Sequence, residues 1–88
     1  MQEIKKAAER EMERMKEVFA SLKIKKKGKA KDFYDFAKNY HKDGLYFYNK
    51  KMYVEAFEAQ VIAWAYIDTG LKLGYFSAPK EQKEWFTA

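Results

Sequence analysis

Three kinds of residue in this chain could do chemistry. Asp68 falls in an apolar segment, in line with Phe57, Val61, Trp64 and Leu71 if that segment is helical. An ionised carboxylate in such a setting is costly unless something pairs with it. One reading makes it an acid with a raised pKa, serving as a base or cation ligand. The other makes it an acceptor for a tyrosine hydroxyl, His41, a lysine or a free backbone N–H. The second is preferred, because no other carboxylate of the segment has spacing suited to acid–base or metal work. His41 is the only histidine, and a lone histidine is more often a satisfied boundary residue than a ligand. Gln60, beside the same apolar stripes, is expected to satisfy a buried partner. The absence of cysteine excludes disulfides and thiolate sites, and one histidine cannot build the common zinc clusters. No catalytic motif is found, so neither an enzymatic activity nor a metal or cofactor is expected.

Lysines are the third kind. Lys23, Lys25, Lys26, Lys27, Lys29 and Lys31 fall within nine residues that hold no acid, and the rest of the chain nearly balances, so this segment accounts for the net charge of +5. Gly28 interrupts it, which reads as a loop between helices. Such lysines can neutralise phosphates in a salt-dependent way, yet they lack the bidentate fork that arginine uses to read bases. A solvated connector is the preferred reading, and contact with RNA or DNA is the alternative.

The elements that must position these residues are legible as periodicities. Ile4, Ala8, Met12, Met15, Phe19 and Leu22 recur at three- and four-residue steps with Val18 beside them, predicting an amphipathic helix over residues 2–24. Phe33, Phe36, Ala37, Tyr40, Gly44 and Phe47 predict a second helix over 30–49, with Asp32 and Asp35 near its positive end. Gly44 is costly inside a helix, so it is expected to admit a neighbouring helix closely. A third helix over 52–73 has a large-residue stripe (Tyr53, Phe57, Val61, Trp64, Leu71) and a small-residue stripe (Ala56, Ala59, Ala63, Gly70), and ends at Gly74. Being apolar around most of its circumference, it belongs at the centre of a bundle. Pro79 predicts a short last helix over 79–86. Trp85 and Phe86, bulky for a chain end, are expected to fold back onto the bundle, with a partner contact as the alternative.

Parts of the second and third segments look familiar. Asp43-Gly44-Leu45-Tyr46-Phe47-Tyr48, then Tyr53-Val54-Glu55-Ala56-Phe57-Glu58-Ala59, then the run Ala63 to Phe76, which contains Asp68-Thr69-Gly70-Leu71-Lys72-Leu73-Gly74, resemble a small archaeal family, the domain of unknown function 357. The resemblance spans roughly residues 30–76. It implies an archaeal source, a compact helical bundle and no assigned activity. The chain departs from the family pattern at Asn49-Lys50-Lys51-Met52, where a Gly-Asp turn would be typical. A more distant likeness to helical domains that accompany nucleotidyltransferases lacks their Arg and His motif, since the only arginines, Arg10 and Arg14, lie far from His41.

The expected fold is therefore all-α, a three-helix up-down-up bundle with a short C-terminal helix, forming one domain over 1–88. No signal peptide or membrane span is found, which makes the cytoplasm the expected compartment. A composition rich in lysine and glutamate and free of cysteine resembles that of heat-adapted proteins. The expected function is a non-enzymatic module for protein interaction or self-association.

Overall fold

The computed structural model describes residues 2–25 and 28–86. Its elements are α1 (Gln2–Ser21), β1 (Lys23–Ile24), α2 (Lys29–Asn49), α3 (Tyr53–Lys72), β2 (Phe76–Ser77) and α4 (Lys80–Lys83). Three long helices and one short one make the fold all-α, as the periodicities require. The long helices run up, down and up. Near one end the Tyr48 hydroxyl of α2 donates to Glu9 of α1, and the Lys5 ammonium sits 5.7 Å from the Tyr53 ring at the start of α3.

Helix α3 is the hub, packing along both α1 and α2, which meet each other only sparsely. The helix stripes explain why. On α1 the buried line is Ala8, Met12, Met15 and Val18, the face the spacing predicts. On α3 the inward line is Ala56, Ala59, Ala63 and Gly70 with Gln60 and Ile67, so the small stripe is the one that packs. The large stripe does not enter the core as a set: Val61 is 44% exposed, and Phe57, Trp64 and Leu71 are half-buried. Small inward residues let two helices press on one central helix at close range. Gly70 makes room for a neighbour from outside the helices, because a Cβ there would overlap the ring of Phe76, the residue that opens β2. The core then closes around Met15, Val18, Ala37, Ala63, Ile67, Phe76 and Phe86.

Helix α2 is rotated from the predicted face. It buries Ala30, Ala37, His41 and Gly44, while Phe36 is 50% exposed. Phe36 stacks instead on Tyr66 (5.5 Å between ring centres), and Tyr40 stacks on the same ring (6.0 Å), forming an aromatic flank beside α3.

Two features depart from the helical expectation. A two-residue antiparallel ladder pairs Lys23 with Ser77 and Ile24 with Phe76, and the Lys25 N–H donates to the Tyr75 carbonyl at 2.8 Å. The basic connector is thus tied to the segment after α3 rather than free over its length. Helix α4 is shorter than predicted, and Pro79 caps it rather than opening it. It is pinned to the end of α1, where Ser21 Oγ donates to Gln82 Oε1 (2.9 Å) and Gln82 Nε2 donates to the Glu17 carbonyl (3.1 Å).

Candidate functional site

The polar residues singled out by type separate into two places. His41 and Gln60 meet across the α2–α3 contact. His41 Nδ1–H donates to Gln60 Oε1 at 2.8 Å, and Gln60 Nε2 donates back to the His41 carbonyl at 3.2 Å. His41 is 5% exposed and Gln60 fully buried. Burial lowers the imidazole pKa, and the Lys38 and Lys16 charges push the same way; the Gln60 hydrogen bond opposes them without prevailing. The ring is therefore neutral at pH 7 and buried against Phe19, 5.3 Å away. Gly44 completes the knot, since a Cβ there would overlap the Gln60 amide. This is a satisfied structural cluster, and every buried side-chain polar atom among the described residues has a partner.

Asp68 is elsewhere. One residue on from buried Ile67, it turns about 100° away from the inward line and lies at the rim, its side chain 26% exposed. Lys72 Nζ, one turn along α3, donates to its Oδ2 at 3.0 Å. The expectation of an acid enclosed by rings and methyls is corrected here: it rested on the large-residue stripe, which is not the face that α3 buries. Among the described residues no three acidic or histidine side chains gather as a metal cluster.

Of the basic segment, Lys26 and Lys27 lie outside the described residues. Lys23, Lys25, Lys29 and Lys31 are exposed, and Lys31 pairs with Asp35 at 2.8 Å. The fold adds lysines that the linear cluster lacks. Lys25, which follows β1, Lys72 of α3 and Lys83 of α4 line one groove of ≈380 Å³ together with Asp68, Leu71, Phe76 and Phe86. Phe86 itself is folded back: 7% exposed, its ring lies 4.0 Å from Trp64 at 17°. Trp85 is half-buried over the end of α1, beside Ala20 and Ser21. Phe86 thereby packs onto the bundle, as expected of it.

The feature that sequence reasoning missed is the outer face of α3. Val61, Ile62, Ala65 and Thr69 line a shallow apolar groove of ≈410 Å³ with Phe33 and Tyr66. Val61 and Ile62 are 44% and 40% exposed. The signal that could have found it was present: Val54, Val61, Ile62, Ala65 and Thr69 fall within about 60° of their mean direction on α3, a third face of which only Val61 belongs to either predicted stripe.

A family model described as a protein of unknown function, DUF357, matches residues 5–76. The chain belongs to that DUF357 family. Among solved structures, the crystal structure of protein AF1782 from Archaeoglobus fulgidus, also of DUF357, is similar, with a TM-score of 0.77 and 27% sequence identity over 89% of this chain and 96% of that one. No curated protein matches the chain. Among the described residues, no helix is long and apolar enough to cross a membrane.

Proposed function

We propose that this chain is a non-enzymatic protein-interaction module that docks through the outer face of α3. One observation carries the reading: α3 turns its alanines and glycine inward and leaves Val54, Val61 and Ile62 40–47% exposed on one side. Large apolar side chains grouped on an open face mark interaction surfaces more often than they mark idle surface. The aromatic flank of Phe36, Tyr40 and Tyr66 widens the face and stiffens its edge. The buried, mutually satisfied His41–Gln60 pair and the ion-paired Asp68 offer no arrangement for acid–base work, which supports the non-enzymatic half of the proposal.

The test compares wild type with Ile62→Asp as bait on a native lysate. A protein, whether another species or a further copy of the chain, should be retained by the wild type and lost with the variant, whose circular dichroism stays unchanged. Equal retention by both ends the proposal.

A second reading has its own observation. The convergence of Lys25, Lys72 and Lys83 on one groove favours contact with a phosphate backbone. It requires affinity for RNA or DNA that falls steeply with salt and is lost when Lys25 and Lys83 become alanine; binding insensitive to salt rejects it.

A further inference from the structure

We propose that the occupant of the outer face of α3 is a second copy of this chain, packed antiparallel across a two-fold axis at Ala65; this rests on the docking reading of that face. A two-fold interface is self-complementary: if residue i meets residue j of the other copy, then j meets i. On α3, residues seven apart lie on the same side of the helix, drifting by only about 20°. Glu58 stands seven residues before Ala65 and Lys72 seven after it, and all three are exposed. An antiparallel copy centred on Ala65 therefore sets Glu58 of each chain opposite Lys72 of the other, and Val61 opposite Thr69. Ala65 is the residue that suits a crossing point, because its short side chain lets two helix axes come within about 8–10 Å.

The charge pattern favours this occupant over an unrelated protein. Glu58 is the single charged residue of α3 between Glu55 and Asp68. It has no cationic partner among the described residues. At the other end Lys72 holds Asp68 while remaining about half exposed, so its ammonium can accept a second carboxylate. The equal spacing of one acid and one base about a small residue is what a self-pairing helix needs, and a foreign partner imposes no such symmetry.

The absence of cysteine from the chain makes the axis directly readable. A residue on a two-fold axis faces its own copy, so purified Ala65→Cys should oxidise rapidly to a disulfide-linked dimer. Ala20→Cys, exposed on α1, should stay largely unlinked under the same conditions. In sedimentation equilibrium the wild type should reach twice its 10.5 kDa mass. Glu58→Lys and Lys72→Glu should each weaken the dimer by about tenfold at low salt, since both ends change from attraction to repulsion. The combined swap should restore it.

Equal cross-linking at positions 20 and 65 in a chain that sediments as a monomer overturns the inference. If that monomer still retains a different protein through Ile62, the second copy is excluded and the docking face stands. If it retains nothing, both fall.

Discussion

Gly44, Gln60 and His41 act as one unit, because each occupies space or hydrogen-bonding capacity that the others define. Gly44→Ala gains about 1 kcal/mol of helix propensity, but its methyl displaces an amide that is fully buried and bonded to His41 at both ends. The net effect should be a loss of about 1–2 kcal/mol in urea unfolding. In a Gln60→Ala background the obstacle is gone, and Gly44→Ala should become neutral or stabilising. A sign that does not change between the two backgrounds would show that the glycine serves something other than the glutamine. The histidine adds a pH dependence. Its folded pKa lies below the 6.5 of the unfolded chain, since burial disfavours the imidazolium. Between those two values the unfolded state binds more protons, so stability rises with pH. This contribution is complete above about pH 7 and is lost as pH falls from about 6.5 through the folded value. Unfolding midpoints between about pH 7.5 and 5.5 should fall for the wild type and be flatter for His41→Gln. At the rim, Asp68→Asn should cost under about 1 kcal/mol, as expected of a partly exposed pair.

At the scale of elements, α2 and α3 end in the same way with different residues. Gly74 has φ 76°, its N–H reaches the Leu71 carbonyl, and the Tyr75 N–H reaches the Gly70 carbonyl. Lys51 has φ 63°, its N–H reaches the Tyr48 carbonyl, and the Met52 N–H reaches the Phe47 carbonyl. Both are the 6→1 and 5→2 pairs of a Schellman ending. The turn Asn49-Lys50-Lys51-Met52 thus places a lysine in a left-handed conformation that glycine adopts without steric cost. The left-handed strain of about 1–2 kcal/mol exceeds the extra chain entropy of glycine, about 0.5–1 kcal/mol. Lys51→Gly should therefore raise stability by about 0.5–1 kcal/mol, and Lys51→Val should lower it. Thermal melts of the two variants decide it. One turn earlier, the hydrogen bond to Glu9 pushes the Tyr48 phenol up to about 12, with burial adding to the effect. Tyr48 favours the folded chain below about pH 10, and that help fades as pH rises toward the folded value.

For the whole molecule, the C-terminal segment closes one side of the core. Phe86 stacks on Trp64 among Ile67 and Phe76, so Phe86→Ala should cost about 3–5 kcal/mol with the urea slope little changed. A cost near zero would mean that the segment does not pack there in solution. The short ladder between β1 and β2 works with it, joining the basic connector to the exit of α3 and bringing Lys25 to the same groove as Lys72 and Lys83.

Local spacing alone determined the helical class, the buried face of α1, the stops near Asn49 and Gly74 and the central position of α3, because each follows from which residues recur every three or four positions. It also marked Gln60 as a residue needing a buried partner. Periodicity ranks faces by how apolar they are, however, and packing ranks them by how closely a neighbour can approach. That difference turned the alanine stripe of α3 inward, left Val61 and Ile62 outside, moved Asp68 to the rim and chose His41 over Phe36 for burial. The ladder, the pairing of Phe86 with Trp64 and the three-lysine groove join residues far apart along the chain. Only the folded arrangement, which shows what each surface meets, could decide them.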